Sequence, residues 1–138
     1  MTSGINVVFD TCAAISLLKG KVDLSSLDID IDESFQYVSV ITRMEIFAKN
    51  DMKPEEEEAV RNFLADVTVI PLGKIVEQKA IEIRRTTKIK LPDCIIAATA
   101  IALDAVLITN DSHLLYLSFP GYKVTNASKK VSGNGSGC

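Results

Sequence analysis

The chain has 138 residues, which is enough for one domain and short for two. Its 47% hydrophobic and 24% charged residues, with only 7 glycines and 4 prolines, exclude a disordered chain and argue against an all-β meander. The net charge of −3 is opposite in sign to the basic excess typical of nucleic-acid-binding proteins, and the single histidine, His113, excludes catalysis by paired histidines.

Short apolar runs alternate along the chain with longer helical patterns. The Val- and Ile-rich runs predict strands, which lie at residues 5–9, 37–40, 67–70, 106–109 and 122–124. The helical patterns between them lie at residues 13–18, 41–49, 54–66, 75–87, 93–103 and 112–117. Residues 21–36 are only weakly patterned.

This alternation, with strands that are apolar throughout, is typical of a parallel sheet covered on both faces. We therefore predict a three-layer α/β/α sandwich with a central parallel sheet of four or five strands. It is expected to be a single domain over residues 1–131, followed by a disordered Gly/Ser-rich tail at 132–138. We predict a cytoplasmic protein without membrane contact. The chain has an odd number of cysteines and no CxxC pair, and it shows neither a signal peptide nor an apolar stretch long enough to span a membrane.

Four acidic residues follow a predicted strand or begin a predicted helix, and they are Asp10, Glu45, Asp93 and Asp111. Each has a purely structural interpretation. The three aspartates are well placed as helix N-caps, whose side chains accept hydrogen bonds from free backbone N–H groups. Thr42-Arg-Met-Glu45 matches a capping box. Taken singly, these acids favour a structural role.

Taken together, the four acids favour a functional site. Ligands bind at the carboxyl ends of the strands in parallel α/β sheets, and these carboxylates are expected to converge there. Converging carboxylates repel one another unless a cation neutralises them. Mg²⁺ and Mn²⁺ prefer such oxygen-only ligands and support phosphodiester hydrolysis, so the pattern indicates a metal-dependent hydrolase.

The motifs around these acids resemble those of a known family. The chain is similar to the PIN-domain nucleases, and particularly to the VapC-type toxins, in the segment KLPDCIIAATA at residues 90–100, followed by VLITND at 106–111. VVFDT at 7–11 and SVITRME at 39–45 resemble the family's first two motifs. The four segments occur in the family's order and cover nearly the whole chain.

The resemblance implies an endoribonuclease with Mg²⁺ or Mn²⁺ as its cofactor and RNA as its substrate. Its principal metal-binding acids map onto Asp10, Glu45 and Asp93, and its fourth acid maps onto Asp111. Its auxiliary polar positions, which hydrogen-bond to the acids or to metal-bound water, map onto Thr11, Thr42 and Asn110.

The resemblance also implies two protein partners, an antitoxin segment lying over the active-site face and a second copy in a homodimer. Two alternatives stay open. One is a PIN-domain nuclease that processes RNA without an antitoxin. The other is a non-catalytic PIN-like module that binds RNA or a protein, although a scaffold has no reason to keep four mutually repelling acids.

Basic residues near the motifs could hold RNA phosphates despite the negative net charge, which would be +1 without the four acids. The candidate RNA-binding residues are Arg43, Arg84, Arg85, Lys88 and Lys90. For the last four, the alternative is a solvated helix end favoured by the helix dipole. Arg43 is either a surface residue or a partner of one of the acids.

Overall fold

The computed structural model describes residues 4–20 and 29–127, and within this part of the chain it contains one five-stranded sheet. The strands are β1 (Asn6–Phe9), β2 (Phe35–Ser39), β3 (Thr68–Ile70), β4 (Val106–Thr109) and β5 (Lys123–Asn126). Every pairing is parallel, and the order across the sheet is β3-β2-β1-β4-β5. The predicted tail at 132–138 and the first half of the weakly patterned segment, residues 21–28, lie outside the described residues.

Six α-helices occur in the described residues, together with a short 3₁₀ turn at Ile31–Glu33. The helices are α1 (Thr11–Leu18), α2 (Val40–Phe47), α3 (Pro54–Asp66), α4 (Lys74–Thr86), α5 (Leu91–Ala102) and α6 (Ser112–Leu115). Pro54 starts α3 and three glutamates fill its first turn, an arrangement that suits the positive end of the helix dipole. No helix of the described part is long and apolar enough to cross a membrane.

Helices cover both faces of the sheet because successive side chains of a strand point to opposite faces. In β1, Val8 packs in one buried cluster with residues of α4 and α5 such as Ala80 and Ile96. Its neighbours Val7 and Phe9 pack in a second cluster with α1 and α3. The predicted three-layer α/β/α fold with a parallel sheet is therefore confirmed, with five strands.

The strand order places a topological switch point between β1 and β4. From β1 the chain first builds β2 and β3 on one side, and then crosses over through α4 and α5 to β4 and β5 on the other. At such a reversal the connections leave the two central strands in opposite directions, and a crevice opens at their carboxyl ends. Two of the predicted acids, Asp10 and Asp111, follow these two strands.

Most predicted boundaries differ from the observed ones by one or two residues, and two of the differences affect the site. Helix α5 begins at Leu91 rather than at residue 93, because Lys90 already has the extended conformation of an N-cap. Helix α2 begins at Val40, directly after Ser39. Asp93 and Thr42 therefore lie inside helices rather than at their caps.

Candidate functional site

The structure brings the four predicted acids into electrostatic contact at the switch point. The charges of Asp111 and Asp93 both raise the pKa of Asp10. The charges of Asp111 and Glu45 both raise the pKa of Asp93. Each acid is thus coupled to at least one other, although they come from four separate segments of the chain.

Asp10 is the most deeply buried of the four, with 3% of its surface exposed. It caps α1, since its Oδ1 accepts a hydrogen bond of 2.7 Å from the Ala13 N–H. Burial is the main cause that raises its pKa from 3.8 to about 6, and the two hydrogen bonds from Thr109 and Ala13 oppose this rise. The predicted N-cap role of Asp10 is therefore correct, and it coexists with a place in the acidic site.

Thr109, the last residue of β4, joins two of the acids and was missed in the sequence. Its fully buried hydroxyl donates to Asp10 Oδ2 and accepts a bond of 2.9 Å from the Asp111 N–H. A threonine hydroxyl can do both because it has one proton and two lone pairs. The available indication was its position, at the end of a strand and two residues before a candidate ligand.

Asp111 caps the one-turn helix α6, as predicted. Its Oδ1 accepts hydrogen bonds from the N–H groups of His113, at 2.7 Å, and Leu114, at 3.2 Å. The His113 side chain is 78% exposed, and its Nδ1 lies 3.6 Å from the same carboxylate oxygen. The single histidine is thus a surface residue at the rim of the site.

The N-cap interpretation of Asp93 is wrong. Lys90 occupies the N-cap position of α5, without a side-chain cap bond, and Asp93 lies in the first turn, half-buried. Burial is the largest cause that raises the pKa of Asp93, followed by the charges of Asp111 and Glu45, while Lys90 and His113 lower it. No capping bond explains this carboxylate in the described residues, and its strongest electrostatic partners are the other acids.

The capping-box interpretation of Glu45 is also wrong. Ser39 caps α2, accepting a bond of 3.0 Å from the Ile41 N–H. Glu45 reaches instead across to α1, where its Oε1 accepts a hydrogen bond from the Thr11 hydroxyl. The fully buried Thr42 hydroxyl lies 3.1 Å from that of Thr11. Because Thr11 donates its only proton to Glu45, Thr42 must be the donor to Thr11.

Asn110 and Arg43 make none of the contacts with the acids that were considered for them. Asn110 is half-buried between Thr109 and Asp111, and within the described residues its side chain forms no hydrogen bond to the four acids. Arg43 is exposed on α2, and among the ion pairs of the described residues none joins it to an acid of the site.

The other four basic candidates are exposed around the end of α4 and the loop that follows it. Arg84 donates a bond of 3.0 Å to the Thr87 carbonyl, which is the helix-end interaction considered as an alternative. Lys90 lowers the pKa of Asp93 and therefore lies close to the site. Arg85 and Lys88 remain exposed on the same segment.

The chemistry of these side chains fits a hard divalent cation. The four acids offer only carboxylate oxygens, and burial together with repulsion from the other acids raises the pKa values of Asp10 and Asp93. In the described part of the chain, however, no three acidic, histidine or cysteine side chains lie close enough together to coordinate one ion. Binding would therefore require side chains of the site to move inward.

The fold and the acidic edge define a class of α/β/α proteins with clustered acidic side chains at the carboxyl end of a parallel sheet. The model of the PIN domain family matches residues 7–119, so the chain belongs to the PIN domain family. The predicted resemblance to this family is thereby confirmed. No curated protein sequence matches the chain.

Solved structures with the same fold include toxin–antitoxin complexes. One from Klebsiella pneumoniae is 27% identical, covers 86% of this chain and 95% of its own, and has a TM-score of 0.67. VapBC2 from Rickettsia felis, bound to a DNA fragment from its promoter, is 20% identical with a TM-score of 0.74, covering 88% of this chain and 98% of its own. DNA-bound VapBC from Salmonella typhimurium is 21% identical with a TM-score of 0.72 and the same coverage.

Proposed function

We propose that this protein is a Mg²⁺- or Mn²⁺-dependent endoribonuclease of the cytoplasm. The observation that carries the proposal is the convergence of four carboxylates, in a PIN domain, at the carboxyl edge of a parallel sheet. Such a cluster is costly without a cation, because ionised carboxylates at short range repel one another. A scaffold protein would gain stability by losing Asp93, because this carboxylate makes no capping bond and both burial and the charges of Asp111 and Glu45 disfavour its ionised form.

Asp10, Glu45, Asp93 and Asp111 would hold the ion. When bound, a divalent ion activates water and offsets negative charge on a phosphate group. Hydroxyl groups orient two of these acids, since Thr109 donates to Asp10 and Thr11 donates to Glu45. Their carboxylates thereby lose rotational freedom before an ion arrives.

RNA phosphates would be held by exposed basic side chains beside the acids. Lys90 is the best placed, because its charge already acts on Asp93. Arg85 and Lys88 continue the exposed basic segment. Contacts of this kind release counterions, so binding should weaken steeply as salt is raised.

The purified protein should cleave single-stranded RNA with Mg²⁺ or Mn²⁺ and lose this activity in EDTA. Activity should return when an excess of the metal is added back, because chelation removes the ion and leaves the protein folded. The measurement is gel electrophoresis of end-labelled RNA oligonucleotides over a metal titration. Metal-independent cleavage, or none with saturating metal, would contradict the proposal, and the second result would favour a non-catalytic PIN-like module.

We further propose that the enzyme is a toxin inhibited by an antitoxin, as the toxin–antitoxin complexes of the same fold suggest. A groove of about 570 Å³ lies between α1, α2 and α3. Its apolar lining includes Ile15, Leu18 and Val60. Lys49 and Glu56, whose charged groups are 3.9 Å apart, also line it. This combination fits an amphipathic antitoxin segment with aliphatic and charged side chains.

The groove also reaches Glu45, so a segment lying in it would abut the acidic site. Inhibition would then need no change of fold, because the segment would cover one of the proposed ligands. A homodimer, also implied by the resemblance, belongs to this proposal and can be checked by light scattering of the purified protein.

The substitution Ala59→Arg should weaken antitoxin binding by about 10-fold or more while RNA cleavage is retained. Ala59 is exposed on α3 and lines the groove, so an arginine there would obstruct it without disturbing the core. Ala65→Arg is the matched control, because Ala65 is exposed on the same helix but does not line the groove. Affinity for the product of the neighbouring reading frame would be measured by calorimetry. Equal affinities of both variants would refute the groove as the docking site.

A further inference from the structure

Tyr122 lies just before β5, and its side chain reaches back to α6 beside the acidic site. Its hydroxyl donates a hydrogen bond of 2.6 Å to the carbonyl oxygen of Leu114. The charges of Asp10 and Asp111 add to burial in raising the pKa of this hydroxyl, which shows that it lies near both acids. The four-acid pattern in the sequence contains no indication of this tyrosine.

The helix that Tyr122 contacts is too short to hold its own shape. Helix α6 has four residues, whereas isolated helices shorter than about 12 residues are marginal in water. The bonds that close its single turn are donated by Leu115 to the Asp111 carbonyl and by Tyr116 to the Ser112 carbonyl. The Leu114 carbonyl takes no part in these two bonds, and Tyr122 supplies its hydrogen bond.

A single residue, Leu114, is hydrogen-bonded to both Tyr122 and Asp111. Its N–H donates to Asp111 Oδ1, its carbonyl accepts from Tyr122, and its side chain is completely buried. We propose that Tyr122 is a positioning residue for Asp111, holding α6 in the orientation in which this carboxylate faces Asp10 and Asp93. The importance of this role for catalysis rests on the proposed function, whereas the role in positioning does not.

Amide hydrogen exchange in the metal-free protein tests the positioning role directly. In Tyr122→Phe, the amides of His113 and Leu114, which both bond to Asp111, should exchange roughly 5- to 10-fold faster, as expected for the loss of one buried hydrogen bond. The Ala13 amide, which bonds to Asp10, is the internal reference and should change little. Equal acceleration of all three amides, or of none, would overturn the proposal.

Tyr116→Phe is the matched control. Tyr116 ends the same short helix, but its side chain is 86% exposed, so loss of its hydroxyl should leave all three amides unchanged. The substitution Tyr122→Phe keeps the ring that packs against the core cluster, which preserves the fold. Faster exchange of the His113 and Leu114 amides in both variants alike would also overturn the proposal.

A second measurement connects the positioning role to the proposed function. Titration with Mn²⁺ alone should give a dissociation constant about 10-fold weaker for Tyr122→Phe than for the wild type and for Tyr116→Phe, as for other groups that orient metal ligands. If the wild type does not bind Mn²⁺, the proposed function fails and amide exchange still decides the role of Tyr122. If Mn²⁺ binds all three proteins equally, the positioning role is refuted and the proposed function stands.

Discussion

The substitution Asp93→Asn should reduce RNA cleavage by more than about 100-fold, since even groups that only orient metal ligands change activity by 10- to 100-fold. The metal-free variant should be as stable as the wild type or more stable. Burial and repulsion from Asp111 and Glu45 raise the pKa of Asp93 in the folded protein, so its ionised form opposes folding at neutral pH. A neutral amide removes this repulsion, and no capping bond is lost with it.

The two effects are measured by an RNA cleavage assay and by thermal unfolding with and without Mn²⁺. Mn²⁺ at ten times its dissociation constant should stabilise the wild type by about 1.4 kcal/mol, and this gain should disappear in Asp93→Asn. Asp104→Asn is the matched control, because Asp104 is an exposed aspartate paired with Lys123 on the surface. Cleavage by a pure, metal-loaded Asp93→Asn protein at the rate of the wild type would refute the proposed site.

The substitution Thr109→Val should lower the free energy of unfolding by about 1–3 kcal/mol, because the bonds to Asp10 and from the Asp111 N–H are both lost in a buried place. Valine has nearly the same shape, so the effect reports the hydroxyl. The same change should raise the pKa of Asp10 above its value of about 6, since the bond from Thr109 lowers that pKa. Cleavage should fall most near pH 6, where protons then compete with the metal for Asp10.

The direction of the pH dependence of stability follows from the same pKa. The pKa of Asp10 rises from 3.8 to about 6 on folding, so the folded protein binds a proton at this site more tightly than the unfolded chain. In the metal-free wild type, the stability contributed by this protonated carboxyl therefore falls as the pH rises from 3.8 to about 6, and it is lost at higher pH. In Thr109→Val the decline should extend to higher pH. Urea unfolding at several pH values and a carboxyl ¹³C titration of Asp10 measure the two effects.

Thr99→Val is the control for this prediction. Thr99 is as buried as Thr109, but its hydroxyl donates to the Ile95 carbonyl within its own helix, away from the acids. It should leave the pKa of Asp10 unchanged. If Thr109→Val also leaves that pKa unchanged, the bond between Thr109 and Asp10 has no influence on the acidic site.

The sequence by itself determined the layered fold, because the evidence for it is local. Each strand is a short apolar run and each helix has its own periodicity, so strands such as Val106–Thr109 and helices such as Pro54–Asp66 were predicted at their observed positions. The acids were also identifiable, since Asp10, Asp93 and Asp111 follow a strand or lie at the start of a helix, and Glu45 lies in the helix that directly follows β2. Their convergence was expected because parallel strands end at one edge of the sheet.

Only the tertiary structure decided how each acid is held. The bond between Thr109 and Asp10 joins residues 99 positions apart, and the bond between Thr11 and Glu45 spans 34 positions. Local patterns contain no information about such pairs, which form when β1 and β4 pair and α1 packs on α2. From the sequence alone, Asp93 and Glu45 also matched local capping patterns. In the folded protein Lys90 and Ser39 occupy those N-cap positions, so neither carboxylate is used in capping and both lie in the acidic site.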